Sequence, residues 1–275
     1  MIRHSSQAVL ALMIAFIWVS ADAAGQDAPA SQTAPSPHQV RTAKFTIDDV
    51  ETATAFYEDL AGMTEVGRYV AEGRLVEPFM GFGDGGRIGL LGYSRKETIE
   101  KSPYPVAVVY TPDLDALARR FEDAGYPFAR FSGDDTGGVR IAIASDPSGN
   151  AIEFVERAGA PAIGGSRLIV DDRHEAEEFF VRIFGVTPGL RFQTDAFDEV
   201  LMDFGAGMFV ALFEPKGVAP LPKSQHPVVA IYTTEFDAVL QRVADEGLGH
   251  RRIGTILLAN DPSGNVVEVV PLRPQ

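Results

Sequence analysis

This sequence predicts an α+β protein of four β-α-β-β-β units set out as two tandem domains, and two observations carry that prediction. Asp146-Pro147-Ser148-Gly149-Asn150 recurs as Asp261-Pro262-Ser263-Gly264-Asn265, each followed at the same distance by a glutamate, Glu153 and Glu268. Around it, Tyr104-Pro105-Val106 and Thr111 match His226-Pro227-Val228 and Thr233, and Leu114, Leu117, Ala118 and Phe121 match Phe236, Val239, Leu240 and Val243 at one constant spacing. A long internal repeat fixes architecture before any motif is read. Within each repeat, the order strand, helix, three short strands occurs twice.

Taken in order, the chain opens with Arg3 and His4, an apolar run from Ala8 to Val19, and Ala21-Asp22-Ala23, the small-x-small form of a cleavage site. Residues 1–23 therefore read as a secretory signal, because the run is shorter than the roughly 20 residues a membrane span needs. The expected destination is periplasmic or secreted, with no membrane contact after cleavage. Residues 24–39 carry Pro29, Pro35 and Pro37 among small polar residues and read as a flexible linker. Domain 1 is expected over 40–157, a hinge over 158–165 and domain 2 over 166–272. In the first unit an alternating strand at 41–47 runs to Asp49, a helix N-cap, and a helix with Val50, Ala53, Phe56, Tyr57 and Leu60 on one face. Strands at 64–70, 75–82 and 87–93 follow, divided by turns such as Gly83-Asp84-Gly85-Gly86. The second unit repeats this with strand 105–110, helix 113–124 and strands near 128, 139–144 and 151–157. The third has strand 167–170, helix 176–184 and strands 190–192, 199–204 and 208–213, and the fourth starts at Val228.

Charge narrows the function. With 24 Lys plus Arg against 38 Asp plus Glu, the net charge of −14 repels phosphate backbones and anionic lipid, so neither nucleic acid nor a membrane surface is an expected partner. A cysteine count of zero excludes disulfides, thiolate zinc sites and a cysteine nucleophile. The turn at 83–86 lacks the Lys, Ser and helix of a phosphate loop. What remains is a small-molecule partner for a monomer or homodimer.

Asp49-Val50-Glu51 with Phe56-Tyr57 following, and Asp-Pro-Ser-Gly-Asn-x-x-Glu closing each domain, resembles the vicinal oxygen chelate superfamily of glyoxalase I, extradiol dioxygenases and bleomycin-resistance proteins. The resemblance covers residues 40–272. It implies two tandem glyoxalase-like domains whose paired units curl mixed sheets into cups, ligand inside and helices outside. It also implies a divalent metal held by the first and last strands of the units. At those positions this chain has Thr42, Gly89, Val106 and Glu153 in domain 1, and Gly165, Ala211, Val228 and Glu268 in domain 2. One carboxylate per cup falls short of the three protein ligands a catalytic metal site uses. No metal and no cofactor is expected.

Strand alternation gives the expected lining, since residues i and i+2 share a face. In domain 1, Thr42, Lys44, Tyr93, Tyr110 and Arg140 are expected to surround Glu153; in domain 2, Arg167, Tyr232 and Glu268 sit among Val228, Ala230, Phe209, Phe213, Leu257 and Val266. The first cup is polar and the second mostly apolar, fitting a filled core in which Arg167 pairs with Glu268. The expected function is an exported, metal-independent protein, similar to the bleomycin-resistance branch, binding a small anionic or aromatic molecule in the domain 1 cup. One alternative is a metal-free lyase, isomerase or hydrolase with Glu153 as base. A second, opposed by the ligand positions, is a metal-dependent glyoxalase or extradiol dioxygenase.

Overall fold

A computed structural model describes residues 36–95, 101–132, 138–205 and 207–272, so the signal sequence and most of the linker lie outside the described residues. The four expected units are present. The first comprises β1 (His38–Thr46), α1 (Val50–Asp59), β2 (Thr64–Ala71), β3 (Leu75–Gly81) and β4 (Arg87–Tyr93). The second comprises β5 (Ala107–Thr111), α2 (Leu114–Asp123), β6 (Phe128–Phe131), β7 (Ile141–Ser145) and β8 (Ala151–Glu156). The third comprises β9 (Ala162–Ile169), α3 (Arg173–Phe184), β10 (Thr187–Gln193), β11 (Phe197–Asp203) and β12 (Phe209–Pro215). The fourth comprises β13 (Pro227–Thr233), α4 (Phe236–Asp245), β14 (His250–Ile253), β15 (Ile256–Asn260) and β16 (Val266–Pro271). The expected hinge contributes its second half to β9.

The helices start where their caps place them. Asp49, Asp113 and Asp172 accept hydrogen bonds from the amides of Thr52 (2.7 Å), Ala116 (2.8 Å) and Glu175 (2.9 Å), satisfying donors the first turn leaves open. Their apolar faces, Phe56 and Tyr57 on α1, Leu117 and Phe121 on α2, Phe179 and Phe180 on α3, Val239 and Val243 on α4, are buried against the sheets. Each such side chain stabilises the fold by about 1.5–3 kcal/mol.

The sheets are assembled across the sequence repeat. Both have eight strands, in the orders β14-β15-β16-β13-β1-β4-β3-β2 and β10-β11-β12-β9-β5-β8-β7-β6. The first unit thus pairs with the fourth through antiparallel β1 and β13, and the second with the third through β5 and β9. Each cup therefore draws one unit from each half of the chain, and the sets expected to face one another, Lys44 with Glu153 and Arg167 with Glu268, belong to different sheets.

The repeated turns tie the two sheets together. In the first, the Asp146 carboxylate accepts from the amides of Ser148 (2.9 Å) and Asn150 (2.8 Å), and Asn150 Nδ2 donates to the Thr46 carbonyl (3.1 Å) in the other sheet. In the second, Asp261 accepts from the Asn265 amide (2.8 Å), and Asn265 Nδ2 donates to the Ile169 carbonyl (3.0 Å). Burial pushes Asp261 up to about 6. The motif is thus a structural tie, and the glutamate that follows is the part that enters a cup.

Candidate functional site

The two cups share one plan. In the first, β1 contributes Lys44, whose Nζ lies 2.5 Å from Glu268 on β16 and 3.0 Å from Glu77 on β3. In the second, β9 contributes Arg167, whose Nε lies 2.7 Å from Glu199 on β11 and whose Nη1 lies 3.0 Å from Glu153 on β8. Glu77 and Glu199 are the members that sequence reasoning missed. They stand the same distance ahead of Gly89 and Ala211, a signal the repeat held.

Electrostatics follow from burial. It pulls the Lys44 ammonium down, but Glu268 and Glu77 outweigh it and hold its pKa above the ordinary lysine value. Glu77 is raised, by burial first, with Lys44 pulling the other way. Glu199 is raised by burial, against the Arg167 charge. Burial likewise opposes the Arg167 guanidinium, and Glu153 and Glu199 overcome it.

The cups differ in what surrounds the ion triad. Around Arg167, Phe192, Phe197, Phe213, Val108, Ile141 and Val155 are buried, and the remaining cavity is about 20 Å³. Glu153 and Glu199 are fully buried there, and Glu153 Oε1 and Glu199 Oε2 accept no hydrogen bond. A general base in this place has no route to a substrate, so the expected role of Glu153 does not fit its position.

The Lys44 cup buries its ion triad as well, but more exposed side chains border it. Facing its interior are Tyr69 of β2, opposite Glu77 and 53% exposed, and Arg251 of β14, which lies opposite Leu258, itself the partner of Glu268. Tyr93 is half-buried against the His226 ring, centroids 4.3 Å apart, and burial pushes its phenol up to about 12. Arg87 of β4 donates from Nε to Thr42 Oγ1 (3.1 Å) and from Nη2 to the Tyr232 hydroxyl (2.7 Å), with its guanidinium 4.0 Å above the Phe79 ring. Unlike Lys44, Arg87 makes no salt bridge among the described residues, although its charge reaches the Glu77 carboxylate.

Of the expected site residues, Thr42, Lys44, Tyr93, Tyr232 and Glu268 come together in the Lys44 cup. Tyr110, Glu153 and Arg167 share the other, where Arg157 covers the Tyr110 ring at 3.6 Å. Arg140 enters neither. On β7, Ile141 and Ile143 lie opposite Val155 and Glu153, so the inward face is one residue out of step with the expected one; a one-residue slip moves every side chain to the other face. Arg140 instead pairs with Asp115 (2.5 Å) and Glu156 (3.0 Å) on the helix side. Leu257 likewise joins the helix-side core rather than the cup. A larger cavity, about 310 Å³, lies between the sheets near Lys101 and Lys223; Lys101 already bonds the Thr46 carbonyl and Lys223 the Asp171 carboxylate.

The metal-ligand positions regroup with the sheets, yet in each cup those positions still supply one carboxylate. Thr42 and Gly89 now face Val228 and Glu268, and Gly165 and Ala211 face Val106 and Glu153. A Cβ at Gly89 would stand 2.3 Å from Glu77 Oε1, and one at Gly165 2.2 Å from the Phe209 ring. Neighbouring side chains fill the space that ligand side chains would need. Among the described residues no three His, Cys, Asp or Glu are grouped to hold a metal ion. The donor set does not fit a catalytic divalent metal.

Residues 38–154 match the sequence model of the Glyoxalase/Bleomycin resistance protein/Dioxygenase superfamily. The matched segment, the first of the two sequence repeats, carries that superfamily's sequence pattern. The chain's fold is similar to that of glyoxalase I from Zea mays, with a TM-score of 0.73 at 21% identity over 85% of this chain and 93% of that one. It is also similar to a protein from Bacillus subtilis subsp. subtilis str. 168 provisionally called a dioxygenase, with a TM-score of 0.66 at 15% identity over 88% and 87% of the two chains. No curated protein matches the sequence. Both likenesses are of fold, and within it this glyoxalase-like chain departs at the metal positions.

Proposed function

We propose that this protein binds a small aromatic carboxylate or similar oxyanion, without a metal, in the Lys44 cup formed by the first and fourth units. One observation carries the reading: Arg87, half-buried at the cup wall, keeps guanidinium N–H groups beyond the two bonded to Thr42 and Tyr232. A guanidinium has five donors in a planar fork suited to a carboxylate. Lys44 is neutralised by Glu77 and Glu268, so Arg87 takes the anchoring part that Arg140 was expected to play. Phe79, Tyr93, Tyr232 and His226 supply flat surfaces for a ring.

A charge-assisted bond of this kind contributes about 1.5–3 kcal/mol, roughly ten- to a hundredfold in affinity. Calorimetric titration of aromatic acids against their neutral amides should show the acids binding more tightly, with Arg87→Gln removing at least about tenfold. Equal affinity for acid and amide would refute the assignment. Turnover of the bound acids would instead favour a metal-free enzyme, with Glu268 in the place once given to Glu153. Export, supported by the basic start, the short apolar run and Ala21-Asp22-Ala23, puts this binding in the periplasm or outside the cell. Intact-mass measurement on fractionated cells tests that; a cytoplasmic chain retaining Met1 would contradict it.

A further inference from the structure

Glu268 stands at a position where metal-binding members of the superfamily hold a ligand, and Glu77 Oε1 fills the space beside Gly89, another such position. Between the two carboxylates lies one cation, the Lys44 ammonium, within hydrogen-bond distance of both. All three groups are buried. We propose that Lys44 is a tethered substitute for the divalent ion, and that Glu77 and Glu268 form a latent metal site which the ammonium keeps closed.

The physical case rests on charge. Two carboxylates that close together and out of water cannot both stay ionised without a cation between them. Lysine supplies one as part of the chain, needing no metal from solution and leaving none to lose. The second cup repeats the arrangement with a guanidinium between Glu199 and Glu153, so the device is a feature of the duplicated plan and not an accident of one strand. Removing the Lys44 side chain would leave room between the carboxylate oxygens of Glu77 and Glu268; oxygen donors suit hard divalent ions such as Mn²⁺.

The inference builds on the metal-free reading of this cup, but its test does not involve the organic ligand, so the two can fail separately. Full-length wild type, Lys44→Ala and the double variant Lys44→Ala/Glu77→Gln are titrated with Mn²⁺ by calorimetry, and metal content is measured after dialysis. Lys44→Ala should take up one Mn²⁺ per chain at least about a hundredfold more tightly than wild type, and the added Glu77→Gln should abolish the gain. Should Lys44→Ala be unfolded alone, Mn²⁺ should restore its folded circular-dichroism spectrum. A folded variant that ignores Mn²⁺, for instance because Arg87 swings across to compensate, overturns the proposal. So does a variant that stays unfolded with the metal present, or a wild type that already binds Mn²⁺ tightly through Glu77.

Discussion

Arg140 and Arg167 show at the scale of single residues how burial separates a surface charge from a structural one. Arg140 lies with its side chain 39% exposed between Asp115 and Glu156, where solvent screening leaves a pair worth about 0–1 kcal/mol. Arg167 is buried with Glu199 and Glu153, the second glutamate belonging to the neighbouring unit. Truncating it strands two carboxylates in an apolar cup, and breaking a buried pair this way costs about 3–5 kcal/mol. In urea unfolding, Arg167→Ala should therefore lose several kcal/mol, and Arg140→Ala no more than about 1. Comparable losses would mean that the Arg167 cup admits water. Much at this scale was legible beforehand: alternation correctly turned Thr42, Lys44, Glu153 and Glu268 inward. It failed on β7 because the residues leading into that strand carry no pattern that sets its parity. Glu77 and Glu199 escaped notice because a lone acid in a half-exposed strand looks like a solvated one until its partner is known.

At the scale of elements, the seam between β1 and β13 holds the first sheet together, and His38 sits in it. The ring is 2% exposed, its Nδ1 2.8 Å from Thr233 Oγ1 on β13 and its edge against Phe184 of α3 at 5.5 Å. Burial, foremost, lowers its pKa below the ordinary histidine value, opposed by Glu235 and helped by Arg242. A histidine whose folded pKa is depressed binds protons more readily in the unfolded chain, so its contribution is present above the ordinary value and is lost as pH falls. Measured against His38→Gln, the urea midpoint of wild type should thus fall between about pH 7 and pH 5, a difference that leaves out the opposite contribution of the raised Asp261 carboxyl common to both proteins. An unchanged slope in the variant would place the acid sensitivity elsewhere; the turn carboxylates Asp146 and Asp261, which burial raises, favour the folded state as pH falls and cannot supply it. The sequence assigned this histidine to a linker. It belongs to β1 because its backbone pairs with a strand far along the chain, a contact that leaves no local trace.

The same non-local pairing decides the whole molecule. The repeat revealed four units, their order and nearly every helix and strand, since those features depend on cap residues and periodicity close by in sequence. Which unit closes which cup depends on the strand pairs β1 with β13 and β5 with β9, and a strand's edge carries no sign of its distant partner. The consequence is that residues 36–157, one repeat by sequence, contain half of each cup. Cut from the chain, that fragment exposes β1 and β5 as unpaired strand edges, with the donors and acceptors that ordinarily bond β13 and β9. Since β5 is the counterpart of β13 in the repeat, two copies can complete one another, β1 of each against β5 of the other, rebuilding both sheets with two-fold symmetry. The fragment should therefore sediment as a dimer and lose its fold on dilution. A fragment that is a stable, fully folded monomer at every concentration would show that two adjacent units can close a cup alone, and that the exchange in the intact chain is a choice its linkers impose.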